Sequence, residues 1–215
     1  MIFFREIEHL KKKLLTLSAL VEEDLKDALK AIRTRDKRLA EEVISADNEI
    51  DSMEIEVEED CLKILALHQP VARDLRFIIA VLKMNNDLER IGDLALNIAE
   101  RALFLADHRE IEIPEQISML ADKTGTMLKK CLDALVTLDE KLAAEVCALD
   151  DEVDAIHSEM YDFIKKEIIR TPGHIDGLLG LLSVSRYLER IADHATNIAE
   201  DVMYLVQGEI MRHRL

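Results

Sequence analysis

Residues 88–100 read Leu-Glu-Arg-Ile-Gly-Asp-Leu-Ala-Leu-Asn-Ile-Ala-Glu, and residues 188–200 read Leu-Glu-Arg-Ile-Ala-Asp-His-Ala-Thr-Asn-Ile-Ala-Glu. Ten of the thirteen positions are identical at a constant offset of 100 residues. A chain that repeats itself in this way is built from two copies of one unit, and any chemistry common to both must use the residues they share. Among these are Glu89, Asp93, Asn97 and Glu100, with Glu189, Asp193, Asn197 and Glu200 in the second copy.

On an α-helix these four positions fall at about 0°, 40°, 80° and 20°, so each set projects from one stripe. Carboxylates one turn apart repel, and neither stripe contains a Lys or Arg to offset that. Arg90 and Arg190 lie about 100° round, beside the stripe, where pairing with Asp93 and Asp193 on the same helix is their simplest role. The opposite face is apolar through Phe77, Val81, Met84, Leu88, Ile91, Ala95, Ile98 and Ala102, a four-three rhythm that makes a packing seam. The copy repeats the rhythm from Leu181 to Leu205. Upstream, the acidic stripe continues as Leu75, Ile79 and Leu82, and in the copy as Leu179 and Leu182. The expectation is that helices of the same bundle cover this apolar strip, a second subunit being the alternative.

Helical periodicity runs through the whole chain with no alternating strand pattern. The spacing predicts helices from about Arg5 to Thr34, then, with Asp36 as N-cap, to about Leu67, and from Pro70 to about Asp107. Three more follow, from Ile117 to Leu138, from Asp139 to just before Thr171, and from Ile175 to Gln207. The fold expected is all-α, two tandem antiparallel three-helix bundles spanning residues 1–110 and 111–215, with Arg109 to Pro114 as linker. A single continuous bundle is the lesser alternative. The second helices also correspond: Asp47, Asp51, Glu54 and Glu58 align with Asp150, Asp154, His157 and Tyr161. Asp51, Glu54, Asp154 and His157 are therefore further candidate ligands, provided their line faces the motif.

Oxygen-only donor sets suit divalent iron, manganese or magnesium better than a thiolate-seeking ion. A net charge of −16 argues against nucleic-acid binding, which needs a basic footprint, and is compatible with cation binding. Cys61, Cys131 and Cys147 lack ligand-like spacing and point to a reducing, cytosolic setting. No uncharged run approaches a membrane span, so any membrane association is expected to be peripheral, through partners. His194 replaces Leu94 and reads as incidental, and Met84 and Met160 as core.

Gln69-Pro70-Val71-Ala72-Arg73-Asp74-Leu75-Arg76, the Leu88–Glu100 segment and its copy resemble the PhoU family, and the resemblance extends over nearly the whole chain. It implies a cytoplasmic negative regulator of phosphate uptake that links the ATPase subunit of a high-affinity phosphate ABC transporter to a sensor histidine kinase. It also implies multinuclear metal clusters at a Glu/Asp-x-x-x-Asp motif in each half, carried here by Glu89 with Asp93 and Glu189 with Asp193. A homodimer is expected. Ala192 departs from the glycine of the first copy, and His157 stands where the first half has Glu54. An enzyme with a carboxylate-bridged di-metal site is a rival reading, but it needs Glu-x-x-His pairs facing inward, and neither Glu89 nor Glu189 is followed by such a His. The expectation is therefore no catalysis. A metal-free helical adaptor is the other alternative.

Overall fold

The computed structural model describes residues 2–208, with six long α-helices. They are α1 (Ile2–Thr34), α2 (Lys37–His68), α3 (Ala72–Asp107), α4 (Glu115–Thr137), α5 (Glu140–Arg170) and α6 (Ile175–Gln207), the last preceded by a 3-10 turn at Pro172–His174. Consecutive helices run antiparallel, and α1 to α3 and α4 to α6 each pack as a three-helix bundle.

The tight turns show how local chemistry sets the repeat. Arg35 and Leu138 both adopt left-handed backbone, and the next residues, Asp36 and Asp139, cap the following helices. Asp36 accepts a bond from Leu39 N, and Asp139 accepts from Lys141 N and Leu142 N, satisfying amides that have no partner inside the helix. The Arg35 guanidinium donates to the carbonyls of Leu105 and His108, at 2.5 and 3.0 Å, and to that of Ile111. It thereby ties the C-terminus of α3 and the linker to the first turn of the fold. Pro70 does not open α3 as its position suggested. The helix begins two residues later, at Ala72, because Val71 keeps extended backbone and stands as its N-cap.

The seam positions of α3 from Val81 to Ala102 are fully or almost fully buried, as are their counterparts in α6 from Leu181 to Val202. Burying a side chain of leucine or isoleucine size contributes about 1.5–3 kcal/mol, so these rows supply much of the drive for bundle formation. The core does not stop at the bundle boundary: one cluster of apolar side chains runs from Leu10 through Leu88 and Leu188 to Val202. α3 and α6 lie antiparallel against each other at its centre, Lys83 Nζ reaching Asp201 Oδ1 at 3.2 Å and Arg76 lying beside Gly208. Alongside them α1 packs on α4, with Leu29 against Gly125 and Arg33 donating to the Ser118 carbonyl at 3.2 Å. α2 and α5 flank this central four-helix layer, one on each side.

Neighbouring helices cover the upstream apolar strip only in part: Leu82 and Leu182 are partly buried against the core, and the rest of the strip is exposed. Leu75 is 38% exposed, Ile79 37% and Leu179 46%, so the expectation of full cover within the bundle is corrected. The helices that flank α3 and α6 already occupy three sides, and the strip lies on the fourth. Among the described residues no helix is long and apolar enough to cross a membrane.

Candidate metal centres

Each motif helix meets the second helix of its own half at close range, and this contact turns two stripes into two facing lines. In the first half Asn85 Nδ2 donates to the Glu54 carbonyl at 2.9 Å and to Glu54 Oε1 at 3.2 Å. Nearer the motif, a Cβ placed on Gly92 would stand 3.1 and 3.2 Å from Ile50 Cδ1 and Cγ2, so the missing side chain lets α2 and α3 approach. Asp47, Asp51 and Glu54 on α2 consequently face Glu89 and Asp93 on α3.

The charges register this arrangement. Burial pushes the Asp47 carboxyl above its ordinary range, and Asp51 and Asp93 push it further. Glu89 is raised by burial and by Asp93, with Arg90 opposing and Glu54 and Asp51 adding to the rise. Asp24, on α1, joins the same neighbourhood and is pushed up to about 6 by burial and then by Asp47. Desolvation and like charge both penalise the ionised forms here.

The second half repeats the layout on α5 and α6. Asp150 is pushed up to about 6 by burial, Asp193, Asp154 and Asp151, against the Thr196 hydroxyl beside it. Asp193 is raised by burial, Glu189 and Asp154, with His194 and Arg190 opposing. Where the first half pairs Glu54 with Asn85, the second sets His157 Nδ1 2.7 Å from Ser185 Oγ. The further candidates Asp51, Glu54, Asp154 and His157 thus all lie on the helix opposite the motif.

Not every residue on the stripes lies level with the facing lines. Glu89 and Glu100 are eleven residues apart, about 16 Å along the helix, so residues that share a direction do not share a position. Glu100 is exposed, and Glu200 lies near Cys147, whose thiol it helps to raise. Asn97 Nδ2 donates back to the Asp93 carbonyl at 2.6 Å, whereas Asn197 Nδ2 reaches across to Asp87 Oδ1 at 3.3 Å. The same Asp87 oxygen lies 2.8 Å from His194 Nδ1, so His194 is no incidental replacement: it links the two bundles. The repeat does not point to Asp24, because its counterpart is Met127 and a residue present in only one copy leaves no mark in a repeat.

As arranged, the carboxylates can be neutralised by protons, by arginine or by a cation. Arg90 Nη1 lies 3.0 Å from Asp93 Oδ2, and its Nε lies 3.3 Å from Glu89 Oε2. Among the described residues no three His, Cys, Asp or Glu side chains converge closely enough to enclose an ion. The donor chemistry nonetheless fits a cation at both places. At these two sets Asn85 Oδ1 and Glu89 Oε2 in the first half, and Asp150 Oδ1 and Thr196 Oγ1 in the second, are buried without a hydrogen-bond partner.

The PhoU domain family matches residues 14–102 and again 117–202, the two copies read from the repeat. The chain is 38% identical to a phosphate-specific transport system accessory protein PhoU homolog of Pseudomonas putida, over 98% of this chain and 83% of that protein. It is 37% identical to homolog 1 of the same name from Thermotoga maritima, over 99% and 92%. In three dimensions it is similar to the crystal structure of PhoU from Pseudomonas aeruginosa, with TM-score 0.92 and 38% identity over 96% of this chain and all of that one. The phosphate transport system regulatory protein PhoU from Streptococcus pneumoniae superposes with TM-score 0.85 and 32% identity, covering 97% and 98%.

Proposed function

This chain belongs to the PhoU family, and on that premise we propose that it is a cytoplasmic, metal-binding negative regulator of phosphate uptake and phosphate-starvation signalling. It is an accessory protein of the phosphate-transport kind and not an enzyme. In this reading it couples the ATPase subunit of the phosphate ABC transporter to a sensor histidine kinase.

The observation that carries the metal reading is the doubled pair of facing carboxylate lines. Asp47, Asp51 and Glu54 with Glu89 and Asp93 would hold cations in the first half, and Asp150, Asp154 and His157 with Glu189 and Asp193 in the second. A divalent or multinuclear centre of iron, manganese or magnesium would supply the positive charge that these partly desolvated groups lack. Leu75 and Ile79 on α3, and Leu179 at the corresponding place on α6, are exposed apolar side chains on the motif helices, and they support a homodimer that would cover them.

Elemental analysis of protein purified without chelator tests the metal reading. Asp93→Ala and Asp193→Ala should each remove about half of the bound metal and leave the helical signal intact. Unchanged metal content in the double variant defeats it. A deletion strain should express phosphate-starvation genes in ample phosphate, and the protein should retain the transporter ATPase and the kinase in a pull-down. Arg90 favours a second reading, a metal-free adaptor, because it already neutralises Glu89 and Asp93 internally. Chelator-treated protein that still restores repression would support that adaptor.

A further inference from the structure

The two centres share a scaffold but differ in donor set at two aligned positions. In the first half the neighbourhood is all oxygen: Asp24, Asp47, Asp51, Glu54, Glu89 and Asp93. In the second, Met127 takes the place of Asp24 and is fully buried in the core, while His157 takes the place of Glu54. The Glu54 position is close enough to the motif for its charge to raise Glu89. His157 aligns with Glu54 and meets α6 through Ser185. Its Nδ1 is held 2.7 Å from the hydroxyl of Ser185, a fully buried residue one turn before Glu189. A ring nitrogen fixed by an outer partner orients the imidazole and leaves the other nitrogen, Nε2, for a ligand.

We infer that the two centres select different ions, and that His157, positioned by Ser185, makes the second a mixed nitrogen–oxygen site for a borderline first-row ion such as Fe²⁺, Co²⁺ or Zn²⁺, while the first retains hard Mg²⁺ or Mn²⁺. This rests on the metal reading above. Imidazole binds borderline ions well and Mg²⁺ poorly, whereas a cluster of carboxylates suits hard cations. Asp24 increases the contrast by adding a sixth carboxylate to the first half only.

Co²⁺ is a suitable probe, because its visible absorption reports nitrogen ligation directly. Chelator-stripped protein titrated with Co²⁺ in a large excess of Mg²⁺ should keep Co²⁺ in the second half alone, a population abolished by Asp193→Ala and untouched by Asp93→Ala. His157→Glu with Ser185→Asn, which transplants the Glu54–Asn85 pair, should let Mg²⁺ displace it. Ser185→Ala should weaken Co²⁺ binding by about 10-fold or more, as loss of an outer-shell partner does. Converting Glu54→His with Asn85→Ser should create the same resistance in the first half. Circular dichroism confirms that each variant is folded. Equal retention of Co²⁺ by both halves overturns the inference, as does retention unaffected by the transplanted pair, while the metal reading stands. Protein that takes up neither Co²⁺ nor Mn²⁺ under any condition overturns the metal reading and the inference with it.

Discussion

The first and second bundles are the same scaffold with different polar insertions. At three aligned places, one copy holds a feature that the other replaces. The Ile50 and Gly92 contact has as its counterparts Val153 and Ala192, a methylene lost on one helix against a methyl gained on the other. The Glu54–Asn85 pair becomes His157–Ser185. Across the bundle interface, Asp87 meets His194 and Asn197, whereas the symmetry-related positions are Tyr187 and Leu94, the latter buried. Apolar volume was conserved as a sum over two helices while polar identity was free to diverge. Packing density penalises any net change in volume, but a polar group needs only a partner.

Forcing the halves to be alike where they differ most should have the largest effect. Gly177 corresponds to Phe77, and a Cβ on Gly177 would fall 1.8 Å from Cδ1 of Ile111, the linker side chain buried against α6. Gly177→Phe should therefore expel Ile111 and cost about 3 kcal/mol, the upper part of the range for overpacking. Urea unfolding measures this, and an unchanged midpoint would mean that the linker side chain is not held there. Next comes the interface pair. Asp87→Ala strands His194 and Asn197 and should cost about 1–3 kcal/mol. His194→Leu, which copies the first half, should couple to it by about 1 kcal/mol in a double-mutant cycle. Simple additivity would separate the two residues energetically.

A subtler exchange concerns Gly92. Alanine in a helix interior is favoured over glycine by about 1 kcal/mol, but here Ile50 stands in the way of its methyl. Gly92→Ala alone should be near neutral. The cost of Ile50→Val, about 1 kcal/mol in the native background, should shrink in the Gly92→Ala background, where the added methyl fills the gap. A cycle in which the Ile50→Val cost is the same in both backgrounds would show that the volumes are not exchanged between helices.

The smallest effect expected is in pH. Asp24 and Asp150 have folded values of about 6 against an ordinary 3.8, so the folded state holds their protons more tightly than the unfolded chain. Their contribution is greatest below about pH 4 and is lost as pH rises through about 6. In chelator, the melting temperature should carry this decline, and Asp24→Asn should remove the part belonging to Asp24 itself. Bound Mn²⁺ should oppose the decline by favouring the ionised folded form. A pH profile identical in the wild type and in Asp24→Asn would show that Asp24 is more hydrated than its surroundings suggest.

The sequence alone determined the helices, their duplication and the inward seam, because each depends on periodicity within a single segment. The caps at Asp36 and Asp139 were legible for the same reason, being local hydrogen-bond chemistry. So were the pairing of Arg90 with Asp93 and the correspondence of Asp47 with Asp150. Tertiary structure decided what required two helices at once: that the line on α2 faces the motif on α3, and that Asp24 joins it from α1. It decided as well that Asp87 and His194 meet across the bundles and that Leu75 and Ile79 remain half exposed. Helical periodicity specifies the direction in which a side chain leaves its own axis. It carries no information on which axis lies opposite, and that is fixed by how the apolar seams of all six helices are buried together.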